Sequence, residues 1–132
     1  MLGELIGEWT GKRVVRRVLP GSVPIIEVSF EESGKVLGVS CMGFGTYTAY
    51  PRPDGTMYGE GQGLIASMDG DMVTWKGGGA GKFKPGGAIS YRGMVYYQTA
   101  SQKLGRLNGM AAAFEYEVDA EGKTATKLWE WK

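Results

Sequence analysis

The sequence contains no histidine. That absence excludes Ser-His-Asp and Cys-His nucleophilic catalysis, histidine-ligated metals and a haem held by a proximal imidazole. Cysteine is nearly absent too. Cys41 stands alone, so neither an internal disulfide nor a cysteine cluster for zinc or iron–sulfur can form. An excess of either charge is also lacking: 15 Lys and Arg balance 14 Asp and Glu, leaving a formal net charge of +1. A dedicated nucleic-acid surface needs a basic excess, and a disordered acidic tail needs the opposite. No apolar run approaches the roughly 20 residues of a membrane span. The opening "MLGELIGEW" carries acids where a secretory leader carries bases. Together these absences predict a reduced, cytoplasmic setting, with no cofactor, no metal, no nucleic-acid partner and no membrane association.

Glycine, by contrast, is abundant, with 23 of 132 residues against an ordinary share of about 7%. Proline supplies only five, and apolar residues make up 42%, enough for a core in one domain spanning 1–132. Helical periodicity is poor throughout. Turn signals recur instead, at Pro20-Gly21, Ser33-Gly34, Asp54-Gly55, Asp69-Gly70, Pro85-Gly86, 100–103 and 119–122. They divide the chain into eight extended segments, near 8–19, 24–32, 35–52, 56–68, 71–83, 88–99, 104–118 and 123–132. The helix-like "NGMAAAFEYE" runs into alternating aromatic and acidic residues and reads as strand. Short connections imply antiparallel neighbours. The expected fold is all-β, a closed eight-stranded antiparallel up-and-down barrel, with a flattened β-sandwich as the alternative.

Hairpin register carries one face from strand to strand. A two-residue loop at Ser33-Gly34 sets Phe30 opposite Leu37, Val28 opposite Val39 and Ile26 opposite Cys41. The same face continues through Gly43, Gly45, Tyr47 and Ala49. Two-residue loops at Asp54-Gly55 and Asp69-Gly70 then turn Glu60, Gln62 and Leu64 inward, opposite Gly79, Gly77 and Trp75. A four-residue loop over 84–87 adds Arg92, Met94 and Tyr96. On the seventh segment the bulkier set is Asn108, Met110, Phe114 and Tyr116. A four-residue loop over 119–122 joins it to Trp129 and Trp131. The expected interior is aromatic at both sides, with Glu60, Gln62 and Arg92 clustered beside small Ala49, Gly77 and Gly79. Absent side chains next to polar ones predict a cavity.

Glu60 is the expected catalytic or charge-stabilising group, with a structural Glu60–Arg92 ion pair as its alternative. Tyr47, Gln62, Trp75, Arg92, Tyr96, Asn108, Phe114 and Trp129 are the expected ligand-binding residues. Tyr58, Tyr116 and Trp131 share their face, and packing alone explains most of these rings. The run "KGGGAGKF" is not a phosphate loop: Phe83 stands where a Ser or Thr would hold magnesium, and no βαβ unit surrounds it. Lys12, Arg13, Arg16 and Arg17 form a basic patch, read as a solvated or partner-facing surface. Cys41 reads as a small buried hydrophobe. Met42, Phe44, Ile65 and Val95 fall on the expected outer face and suggest a homo-oligomer interface.

The stretches "GFGTYTAYPRPDGTMYGEGQG", "DGDMVTWKGGGAGKF", "YRGMVYYQT" and "LNGMAAAFEYEVD", with the terminal "KLWEWK", resemble small bacterial proteins grouped with the allene oxide cyclase-like barrels. The likeness spans nearly the whole chain and is clearest from Gly43 to Phe83. It implies a calycin-like closed barrel with an apolar cavity, usually oligomeric. Plant members cyclise an unstable fatty-acid epoxide without a cofactor, steered by a buried glutamate. Glu60 is its counterpart here by environment. The expected function is binding of a small lipophilic molecule in the cavity, with cofactor-free isomerase or cyclase chemistry if the protein is an enzyme. The alternative is a non-catalytic assembly module.

Overall fold

The computed structural model describes residues 2–132. Eight strands follow one another around a closed barrel: β1 (Leu2–Leu19), β2 (Ile25–Val36), β3 (Val39–Pro51), β4 (Met57–Ser67), β5 (Met72–Phe83), β6 (Ile89–Thr99), β7 (Ala111–Val118) and β8 (Lys123–Trp131). Each pairs antiparallel with the next, and β8 pairs with β1. Closure leaves no unpaired edge to attract another chain, and the sandwich alternative is not adopted. The long β1 reaches across the whole barrel, and the "AAAFEYEV" stretch is strand β7 as expected.

The turn at Ser33-Gly34 does not exist. Both residues lie within β2, and the chain reverses at Leu37-Gly38, where both residues have positive φ and Val36 pairs with Val39. Gly34 serves close strand approach instead: a Cβ there would overlap the Glu8 carbonyl and the Trp9 backbone. The turn moves by four residues, an even step, so Val28, Phe30, Cys41, Gly45, Tyr47 and Ala49 still face inward.

Four other hairpins share one device. In 52–56, 67–71, 84–88 and 119–123 a three-residue loop is closed by an amide-to-carbonyl bond of 2.8–2.9 Å between its flanking residues. The last loop residue is always glycine, and Gly55, Gly70, Gly87 and Gly122 have φ of 88–91°. A three-residue loop with a left-handed glycine is a common hairpin solution. Its odd length changes which face a strand presents, compared with an even loop.

The barrel has two different ends. One carries the short connections 20–24, 53–55, 85–87 and 120–122 and, among the described residues, has no plugging segment. The other is filled by 100–110, which includes a 3₁₀ turn, Gly105–Gly109. Leu104 and Leu107 of this segment have no solvent exposure and join the buried cluster of Ile6, Trp9, Val36, Cys41, Val73, Tyr97 and Leu128. A second cluster near the open end contains Phe30, Ala49, Met57, Tyr91, Tyr116 and Val118. Cys41 is buried and free, as expected.

Candidate functional site

Between the two clusters the lumen holds a cavity of about 90 Å³. Its walls include Trp9, Phe30, Glu32, Tyr47, Trp75, Tyr91, Tyr97, Phe114, Tyr116 and Thr126, with Gly59, Gly61, Gly77 and Gly79. Of the expected ligand-binding residues, Tyr47, Trp75 and Phe114 are therefore brought together around it. The glycines make room chiefly for the protein's own rings. A Cβ at Gly45 or Gly63 would strike the Trp75 indole, and one at Gly59 or Gly81 would strike the Tyr91 ring.

Of the expected polar trio, Glu60 borders the cavity at the glycine-rich wall of β4, but none of the three side chains points into the lumen. The three-residue loop at 53–55 pairs Ala49 with Gly59 and Tyr47 with Gly61. That register points Glu60 and Gln62 outward, where both are exposed. Glu60 accepts a 3.3 Å hydrogen bond from the Tyr58 hydroxyl, and Tyr58 stacks on Tyr50. Loop 68–70 reverses the face again, so Trp75, Gly77 and Gly79 point inward after all. Loop 85–87 reverses it once more, placing Tyr91, Val95 and Tyr97 inside. Arg92 is consequently outside, bonded to Glu117 at 2.6 Å and 3.7 Å from Glu115, and it makes no pair with Glu60. Tyr96 is outside as well, 55% exposed. Loop 120–122 pairs Phe114 with Leu128 and turns Trp129 and Trp131 outward. Asn108 belongs to the plug: its side chain accepts from the Thr99 amide at 2.7 Å and donates to the Thr99 carbonyl at 2.9 Å. Ile65 and Val95, expected outside, are buried inside.

The carboxylic acid whose side chain points into the lumen is Glu32. It follows Val28 and Phe30 on the same face of β2, and the strand continues past it to Val36. Its register partners are Gly11 on β1 and Gly43 on β3. Neither carries a side chain, so the carboxyl has room to project inward. Its hydrogen-bond partner is the Thr126 hydroxyl, 3.4 Å away, and among the described residues it has no ion-pair partner. Burial pushes its pKa up to about 7, against the smaller lowering effect of Thr126. The alternation of β2 was the signal that could have found it.

Four phenols line the same cavity. Burial raises the pKa values of Tyr47, Tyr91, Tyr97 and Tyr116, and the Glu32 charge adds to the effect at Tyr97 and Tyr116. All four are neutral hydrogen-bond donors at physiological pH. The buried Tyr116 hydroxyl makes no well-formed hydrogen bond, although Tyr47 is near enough to influence it. Rings at 5.5–6.0 Å link Phe30, Tyr47, Tyr91 and Tyr116. Among the described residues no group of His, Cys, Asp or Glu is arranged to hold a metal, and no helix is long and apolar enough to cross a membrane.

No protein-family model and no curated protein sequence matches the chain. Solved structures do. A conserved protein of unknown function from Rhodopseudomonas palustris superposes with a TM-score of 0.83 at 13% identity, over 98% of this chain and 97% of the other. A β-barrel-like protein from Acinetobacter baumannii gives 0.83 at 10% identity, over 100% and 96%. An enzyme from Penicillium herquei gives 0.69 at 17% identity, over 96% and 92%. At these identities the likeness is one of fold, and the chain shares a closed-barrel architecture with bacterial proteins of unknown function and a fungal enzyme.

Proposed function

We propose that the barrel is a chamber for a small apolar molecule and that Glu32 is the group that exchanges a proton with it. The observation that carries this reading is a carboxylic acid without a charge partner among the described residues, pointing into a cavity lined mainly by rings, glycines and the aliphatic side chains of Ile65, Val95 and Leu128. With a pKa near 7 the acid exists in both protonation states around neutral pH. That is the condition under which one side chain can act as acid and as base in an isomerisation or cyclisation. Such chemistry is in keeping with the allene oxide cyclase-like resemblance, with Glu32 rather than Glu60 as the acid. A neighbour that is an enzyme supports the same reading. The cavity limits the substrate. Drug-sized ligands occupy about 300–1,000 Å³, and about 150 Å³ is known to hold a benzene. A lumen of about 90 Å³ suits a chain of a few carbons, not a long fatty acid.

Native mass spectrometry of protein isolated from its own host tests the reading. The expected result is a co-purifying small molecule retained by the wild type, and lost or left unconverted in a well-folded Glu32→Gln variant. Equal retention and equal conversion by both proteins would rule out a role for the acid.

A second reading, a non-catalytic assembly module, has an observation of its own. Met42, Phe44, Met68 and Met72 on the outer face are 62%, 60%, 75% and 53% exposed, and the register places Met42, Ala66 and Met72 side by side. Light scattering at several concentrations distinguishes it: a dimer abolished by Phe44→Lys supports assembly, and a monomer at every concentration opposes it.

A further inference from the structure

Strand β1 carries four basic residues near the open end, and they fall into two pairs. Lys12 and Arg17 point outward, and each meets an acid on β2: Lys12 lies 3.7 Å from Glu31 and Arg17 lies 2.8 Å from Glu27. Arg13 and Arg16 point inward. Arg13 is opposite Phe30 and Arg16 is opposite Val28, both lumen residues. The cause is a bulge between Arg13 and Val15, which inserts one residue into the alternation. Without it Arg17 would share the face of Arg13, and Arg16 would point away.

Neither inward guanidinium has an ion-pair partner among the described residues. Asp119, in the neighbouring hairpin, accepts at Oδ1 from the amides of Glu121 and Lys123 and makes no ion pair with either arginine. The charges of both arginines reach Tyr47, and that of Arg13 reaches Tyr91. By register, two cations without an ion-pair partner among the described residues therefore stand on the lumen face of β1 at this end of the barrel, the Arg13 guanidinium against the Gly122 turn and Arg16 exposed to solvent. A second observation points to a ligand at the same place. Tyr116, 8% exposed, packs its ring against Tyr47 and Tyr91, and its buried hydroxyl makes no well-formed hydrogen bond.

We propose that the occupant of the lumen is a small carboxylate, its charged end held at the mouth by Arg13 and Arg16 and its short apolar end lying among Tyr47, Tyr91 and Tyr116 towards Glu32. This inference rests on the chamber reading above and adds the class of ligand. A planar guanidinium matches a carboxylate with two parallel hydrogen bonds. Apolar walls then hold the chain, and the acid at the far end meets the carbons distant from the head group.

The probes are butanoate and 1-butanol, which have the same chain length and differ in charge. Both are titrated at pH 6 into ¹⁵N-labelled protein. The indole N–H signals of Trp9 and Trp75 report the lumen, while Trp129 and Trp131 on the outer face serve as internal controls. Butanoate is expected to shift the lumen signals alone and to bind about tenfold more tightly than the alcohol. In the Arg13→Gln, Arg16→Gln double variant the two probes should bind alike, with the alcohol unaffected. The Arg13→Lys, Arg16→Lys variant should retain a preference for butanoate. If the alcohol enters and butanoate has no advantage, or if its advantage survives in the glutamine variant, the carboxylate proposal fails and the chamber stands. If neither probe moves the Trp9 and Trp75 signals, both fail.

Discussion

Glu32 is costly to ionise where it sits, and that cost has a sign and a pH window. Below about pH 4.5 the group is protonated in both the folded and the unfolded chain. Between about 4.5 and about 7 the unfolded chain releases its proton while the folded barrel keeps it. Stability contributed by the neutral acid is therefore complete at low pH, lost as pH rises through this window, and level above it. The full effect is about 3 kcal/mol by linkage. Glu32→Gln has the shape of the neutral acid and does not titrate. Denaturant unfolding should find the two proteins similar near pH 4 and the variant more stable by about 2–3 kcal/mol at pH 8. Parallel pH profiles would show that Glu32 ionises freely in water. Glu117 titrates with the opposite sign. Partial burial acts to raise its pKa, but hydrogen bonds from Lys84, Ser90 and Arg92 hold it down at about 2. It stabilises the barrel above its unfolded pKa, an effect lost in acid, and the comparison with the glutamine variant cancels it.

At the scale of strands and hairpins, loop parity decides which residues enter the lumen. A left-handed glycine closes each three-residue loop, and an L side chain there is strained. Gly122→Ala should lower stability by about 1–2 kcal/mol. Gly105 is a useful contrast. It lies in the 3₁₀ turn of the plug with no positive φ, and nothing within 4 Å of a Cβ. Gly105→Ala should raise stability by about 0.5 kcal/mol by restricting the unfolded chain, and chemical denaturation of the pair tests both signs. The same hairpins explain how far the sequence could be read. Strand number, order and closure were legible because turn residues and alternation mark them directly. The even displacement of the first hairpin left Tyr47 on the correct face. Treating 54–55 as a two-residue loop moved β4 by one position and exchanged Gly59 and Gly61 for Glu60 and Gln62. A matching error at 69–70 restored β5, so Trp75 was placed correctly. The faces of β6 and β8 were lost to the loops at 85–87 and 120–122, and with them Arg92, Tyr96 and Trp129. Glu32 was hidden because a Ser-Gly pair resembles a turn, whereas Gly34 is required by the closeness of β1. The bulge that turns Arg16 inward has no marker in the sequence at all.

For the whole molecule, the difference between the two ends matters most. Closure of β8 onto β1 makes a tube, and the connection between β6 and β7 seals one end of it with Leu104 and Leu107. The residues under this plug are also lumen residues: Trp9, Ile65, Val95, Tyr97 and Leu128 belong both to its buried cluster and to the cavity wall. Plug and lumen are thus one continuous packed region, and the length of the chamber is set by how far the leucines descend. Leu107→Ala removes a side chain with no solvent exposure. It should cost about 2–4 kcal/mol, because the surrounding barrel relaxes only in part. The space left should add to the closed end of the lumen and leave the arginines at the mouth unchanged. In a series of straight-chain carboxylates, the chain length bound most tightly should then rise by about one or two carbons, each added methylene gaining about 0.8 kcal/mol where it is buried. Titration monitored at Trp75 measures this directly. A stability loss with an unchanged optimum length would mean that the lumen ends above the plug, and that Leu107 supports the barrel without bounding its chamber.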